Sequence, residues 1–216
     1  MTNLPKHHPD DALLLDHACG ALAGPFSLAV ATHLALCPAC RRAIRAMESA
    51  GGAALAHLEA PAVDDDLLTK TLSRLGEAFD DRPATDNQAK VEAAWVPHPL
   101  RGLLKTQIDR LPFKRLAGGQ VHLLDMPRPY RAYLLRVAGG KTVPMHGHSG
   151  LEMTLVLSGG YSDGEAHFDR GDIGLSDEAH RHAPKADAQG CTCLIVSAGP
   201  LRGDPLTTLV ARWFGI

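Results

Sequence analysis

Through the first eighty residues, apolar positions recur at three- and four-residue intervals, the period of a helix with one buried face. Residues 10–22, DDALLLDHACGAL, place two aspartates ahead of a leucine-rich run, which predicts a helix with an acidic cap and first turn. Gly24-Pro25 ends that helix and starts a second, FSLAVATHLAL, running up to Cys37. Pro38 suits the first position of a third helix through ACRRAIRAMESA, because its missing N–H would be unpaired there anyway. Gly51-Gly52 is expected to interrupt this helix, with AALAHLEA resuming it for a turn or two. A fourth helix, residues 64–79, opens on three aspartates and carries Leu67, Leu68, Leu72 and Leu75 as its apolar stripe.

After Phe79 the polar, proline-containing DDRPATDNQAK reads as an interdomain linker that leaves its two sides free to move. Beyond residue 95 the pattern changes to short alternating runs divided by turn residues. GGQVHLLDM, YRAYLLRVAGG, LEMTLVLSGGYSD, EAHF, GDIGLS and CTCLIVSAG are the strand candidates. Short strands at that spacing predict an all-β barrel or sandwich, with a jelly-roll among the options. The chain therefore divides into a helical unit (1–80), a linker (81–97) and a β unit (98–216), a multidomain arrangement of α followed by all-β.

Charge refines this picture. Residues 1–90 hold 8 Lys and Arg against 12 Asp and Glu, whereas residues 91–216 hold 14 against 12. The acidic first half disfavours a nucleic-acid surface and suits a basic partner. MTNLPKHHPD has no apolar core of a signal peptide, and ACGALAGPFSLAVAT is broken by Gly, Pro and Ser before it reaches membrane-spanning length. A cytoplasmic chain with no membrane contact is expected. Five cysteines, spaced as CxxC, CxC and one alone, fit metal or redox chemistry better than a disulfide framework.

Two constellations carry that chemistry. His33, Cys37 and Cys40 are three soft ligands at H-x3-C-x2-C spacing, which zinc requires together with a fourth. The His7-His8 pair ahead of the first helix is the natural supplier, and His17 on that helix is the rival; a thioredoxin-like redox pair is the other reading of CxxC. A helical unit of this size has little core of its own, so a crosslinking metal would supply folding energy. In the β unit, GKTVPMHGHSGLEMTLVLSG carries His146 and His148 two apart, facing the same way, with Glu152 opening the next strand. His180 or His182 in SDEAHRHAP would complete the set, and ligand identity does not choose among zinc, iron, nickel and manganese. Cys191 and Cys193 also face together, among apolar neighbours, and read as buried core thiols.

Taken together, HHPDDALLLDHACGAL...FSLAVATHLALCPACR and MHGHSGLEMTLVLSGGYSD...GDIGLSDEAHRHAP...CTCLIVSAGPLR resemble the ChrR-type zinc-dependent anti-sigma factors over nearly the full length. The resemblance implies a small zinc-binding anti-sigma helical domain followed by a cupin-like β-barrel. It implies zinc ligands at His8, His33, Cys37 and Cys40, and a second metal, zinc by preference, at His146, His148, Glu152 and His182. His17 and Cys19 depart from the family pattern of an aromatic and a small residue. The implied function is sequestration of a group IV (extracytoplasmic-function) sigma factor by the helical domain, with release on oxidative stress such as singlet oxygen or organic peroxide, and no catalytic residues. A cupin metal-dependent dioxygenase and a metal-binding interaction module without a sigma partner are the alternatives.

Overall fold

A computed structural model describes residues 4–75, 95–104, 106–116, 118–203, 205 and 208. The helices form where the spacing predicts them. α1 (Asp11–Ala18) is capped by Asp10, whose side chain accepts from the Leu13 N–H at 2.8 Å. α2 (Gly24–Leu36) takes Pro25 in its first turn. Cys37 is extended, ends α2, and starts α3 (Pro38–Ala56), its sulfur accepting from the Cys40 N–H. The expected interruption at Gly51-Gly52 does not occur, and α3 runs through both glycines to Ala56. Glycine costs a helix roughly 1 kcal/mol each relative to alanine, which weakens but does not break a helix already propagated through more than three turns. α4 (Leu67–Arg74) follows, with an Asp66–Lys70 ion pair across its first turn; residues 76–79 of the predicted helix lie outside the described residues. So do residues 81–94 of the predicted linker. Its last residues, Trp95–Pro97, lead into α5 (His98–Arg101), and Val96, Pro97 and Leu100 are buried.

The β unit contains β1 (Lys114–Leu116), β2 (Gly119–Leu124), β3 (Arg131–Val137), β4 (His146–His148), β5 (Glu152–Asp163), β6 (Ala166–Phe168), β7 (Ile173–Ser176), β8 (Arg181–His182), β9 (Lys185–Ser197) and β10 (Leu201–Arg202). All six strand candidates are present. β9 begins six residues earlier than CTCLIVSAG, in a polar stretch whose alternation is too weak to read. Pairing is antiparallel throughout: β1-β2-β3-β9-β5-β6 with β7 also on β5, and a small sheet β10-β4-β8. The two sheets face each other across a cavity, the arrangement of a cupin-like barrel.

The large sheet is buried on both faces, and each face has its own cluster. Leu134, Leu155, Leu157, Leu194 and Val196 point outward and pack with Leu14, Phe26, Ala29, Val30 and Ile44 of the helices. Tyr133, Val137, Tyr161, Cys191, Cys193 and Ile195 point into the barrel. The helical unit thus borrows the back of the barrel for its core instead of standing free at the end of a linker. Two irregularities in β5, between Val156 and Ser158 and between Gly159 and Tyr161, shift its alternation. Even-numbered Glu152 and Thr154 line the cavity before them, and odd-numbered Tyr161 and Asp163 line it after.

The far side of the helical unit differs. From Glu48 to Leu75 every residue is exposed, including Leu55, Leu58, Val63, Leu67, Leu68, Leu72 and Leu75.

Candidate metal centres

The first centre sits where the N-terminal segment, the α2–α3 junction and the barrel meet. His33 Nε2 lies 3.2 Å from Cys40 Sγ, and His8 Nδ1 lies 3.4 Å from both Cys37 Sγ and Cys40 Sγ. Donors sharing a tetrahedral zinc ion stand about 3.3–3.8 Å apart, given bonds of roughly 2.0–2.3 Å, so the four atoms already have the dimensions of such a site. Of the pair His7-His8, it is the His8 ring that lies in the cluster. His7 turns away, its Nε2 on the His167 carbonyl at 3.1 Å and its ring against Phe168. His17 is occupied by Ser27 Oγ at 2.8 Å, and Cys19 is exposed; neither joins the cluster.

Protonation supports the same donor set. His33 donates its Nδ1–H to the Gly171 carbonyl at 2.7 Å, which fixes the tautomer and leaves the Nε2 lone pair facing the sulfurs. Burial lowers its pKa to about 4, opposed by the bond to Gly171, so the ring is neutral at pH 7. Burial, with Cys37 beside it, raises the Cys40 thiol to about 12. Thiols crowded in this way ionise when a dication shares the site, and its binding releases their protons.

Gly171 and Asp172 supply what sequence spacing did not reveal. The buried Asp172 carboxylate accepts from the Lys6, His7 and Asp169 N–H groups at 2.6, 3.0 and 2.8 Å, and the Ile173 N–H donates to the His7 carbonyl at 3.1 Å. These bonds lay the segment carrying His8 along the turn before β7. Gly171 has φ +94°, and a Cβ there would meet Pro5 at 2.7 Å, so the turn needs glycine on both counts. The barrel therefore holds two of the four clustered side chains, His33 and His8, in place from outside. The only sequence hint is RGD before an alternating run, which reads as an ordinary turn.

The second centre lies at one end of the barrel cavity. His146, His148, Glu152 and His182 converge and are all buried, while His180 stays exposed against Asp163 at 3.3 Å. His182 Nε2 is 3.0 Å from both His146 Nε2 and His148 Nε2. His146 donates Nδ1–H to the Pro144 carbonyl at 2.8 Å, and His182 donates Nδ1–H to Asp163 Oδ2 at 2.6 Å. Burial lowers the pKa of both rings, more than Pro144 or Asp163 restores. Neutral rings with their protons on Nδ1 present two lone pairs to each other at that distance. This is repulsive unless a cation lies between them. His148 Nδ1 is buried without a hydrogen-bond partner; Glu152 Oε2 lies 3.2 Å from it but out of hydrogen-bond alignment. Three imidazoles and a carboxylate fit a transition-metal dication. Asp163, which orients His182, was not foreseen, because the shift in β5 hides its parity with Glu152.

The fold and its two clusters define a class: a small helical His/Cys clasp packed on a cupin-like barrel that has its own His/Glu set, both sets able to hold a metal. A family model described as the ChrR Cupin-like domain matches residues 103–202. Anti-sigma-E factor ChrR of Cereibacter sphaeroides is 36% identical over 214 residues, 98% of this chain and 99% of that protein. The crystal structure of Rhodobacter sphaeroides SigE in complex with the anti-sigma ChrR matches with a TM-score of 0.78 and 33% identity, covering 89% of this chain and 99% of that one. The chain belongs to the ChrR family.

Proposed function

We propose that this chain is an anti-sigma factor whose helical unit, residues 1–80, sequesters a group IV sigma factor, and whose barrel, residues 98–216, reads an oxidative signal and releases it. The carrying observation is the run from Glu48 to Leu75, which is exposed throughout yet presents seven large apolar side chains. An outward stripe of that size is a docking surface for helices. The acidic excess of residues 1–90 suits a basic partner and speeds the encounter. The solved relative is itself a sigma–anti-sigma complex.

In this reading zinc is held by His8, His33, Cys37 and Cys40 and pins α2 to α3. A second transition metal, zinc by preference, is held by His146, His148, Glu152 and His182. The connection from barrel to clasp is short: β7 places Ser176 opposite Glu152 at one end and follows Gly171, the acceptor of the His33 proton, at the other. The proposed protein acts in the cytoplasm. Among the described residues no helix is long and apolar enough to cross a membrane.

The test is reporter transcription in the native host. Full-length chain should repress, and His148→Ala should still repress but fail to induce under singlet oxygen or organic peroxide. Loss of repression in unstressed cells would mean that the barrel holds the clasp shut and does not sense. The cavity beside the second cluster is the observation that favours the dioxygenase alternative; turnover of dioxygen with a small organic substrate above about 1 per second would support that reading instead.

A further inference from the structure

The barrel encloses a cavity of about 180 Å³, walled by Leu116, Leu135, Val137, Phe168, Ala186 and Ile195. An apolar cavity of roughly 150 Å³ accepts benzene, so this one has room for a body of about six to eight carbons. His146, Glu152 and His182 border it, and so do two tyrosines. Tyr133 and Tyr161 are only 4% and 7% exposed, and neither hydroxyl has a hydrogen-bond partner among the described residues. Burial keeps both phenols protonated, so both are donors. The neighbouring carboxylate of Asp163 is already taken by His180 and His182. Tyr161 is held in place by stacking on Phe168 at 4.8 Å, and its hydroxyl lies 2.5 Å from where a Cβ on residue 174 would be, a position the sequence keeps as glycine. Both side chains line the same cavity, where a ligand can take the two O–H donors.

We propose that this cavity is a binding site for a monocarboxylic acid with an apolar body of about six to eight carbons, its carboxylate taken by Tyr133 and Tyr161 beside the His146, Glu152 and His182 cluster. The proposal rests on the reading that this cluster holds a dication. Three neutral imidazoles and one carboxylate leave such an ion with net positive charge, which an anionic head group offsets; without it, Glu152 and Asp163 would repel that head.

The experiment uses the full chain loaded with zinc, its metal content measured first, titrated calorimetrically with benzoate and hexanoate. Binding at about 0.1–1 mM is expected for ligands of this size. Acetate, laurate and hexanol should bind at least tenfold more weakly, being respectively too short, too long and uncharged. Tyr133→Phe and Tyr161→Phe should keep the metal and lose at least tenfold in affinity. Ala186→Leu, which fills the cavity and spares both hydroxyls, should keep the metal and lose binding altogether. Metal-loaded protein that binds neither benzoate nor hexanoate overturns the proposal and leaves the metal reading intact. Phenylalanine variants that bind as tightly as the parent overturn it too, as does equal binding by zinc-free chain. A chain that retains no metal at the second cluster removes the metal reading itself, and the proposal with it.

Discussion

Cys37 ends one helix, starts the next and points its sulfur at His8, so a single residue joins local structure to the first metal centre. Serine at 37 could still cap α3 but is a poor zinc ligand. Cys37→Ser is therefore expected to lower zinc content by one equivalent, as measured by elemental analysis, and to reduce helicity by circular dichroism while the second centre stays loaded. Unchanged zinc would reject the ligand assignment; His17→Ala is the matched control and should lose none. His33 gives a pH prediction for the zinc-free chain. Its folded pKa, about 4, lies below the ordinary 6.5, so the unfolded state takes up a proton first and stability falls as pH drops from about 6.5 towards 4. The full effect is about 3 kcal/mol, and His146 and His182, also lowered by burial, act in the same direction. Between pH 7 and 5 the melting temperature should fall by about 4–8 °C; a flat profile would contradict the neutral, buried ring. At this scale the residues that cluster were legible, because H-x3-C-x2-C and H-x-H-x3-E are local spacings. Gly171, Asp172 and Asp163 were not, because each acts on a residue distant in sequence.

Among the elements, strand and helix identities followed from period and turn residues, with two instructive departures. Gly51-Gly52 did not stop α3, since both glycines face solvent and cost only propensity. The irregularities in β5 inverted its inward face halfway along, which strict alternation cannot anticipate. The contact with most consequence joins a segment outside any helix to the turn before β7, through Asp172. Asp172→Asn preserves size but presents an amide group to N–H donors that had a carboxylate. With hydrogen bonds to a charged acceptor worth about 1.5–3 kcal/mol each, a loss of roughly 2–3 kcal/mol is expected. Because the segment it holds carries His8, zinc should also pass faster to a chromogenic chelator, by about tenfold or more. A destabilised variant with unchanged zinc release would show that Asp172 supports the fold and not the clasp.

At the scale of the whole molecule, the two halves were legible as helical and β, but their relation was not: a polar linker suggested independence, and the core shows α2 seated on β5 and β9. The packing sorts the apolar residues of the helical unit into two sets with different roles. Phe26 and Val30 on α2 are committed to the core against the barrel and cannot also meet a partner without undocking. Leu68 and Leu72 are 68% and 56% exposed on α4 and touch no core. A double change, Leu68→Asp with Leu72→Asp, should therefore leave the melting temperature within about 1 °C, as surface substitutions usually do. Burying those two leucines against a partner is worth about 1.5–3 kcal/mol each, and an aspartate in their place would be buried unpaired. Affinity for the sigma factor should fall at least about 100-fold, equivalent to ~2.7 kcal/mol, as measured by calorimetry on the purified full-length chain, with derepression of the reporter in cells. Leu14→Asp is the opposite control: it should lower the melting temperature sharply, because that side chain is buried in the core of the helical unit, where α1 packs on α2 and α3. If the α4 variant instead bound the sigma factor as tightly as the parent, α4 would not be part of the docking surface, which would then lie on the rest of the exposed stripe at Leu55, Leu58 and Val63 or on the barrel-facing side of α2, the latter requiring the two units to separate.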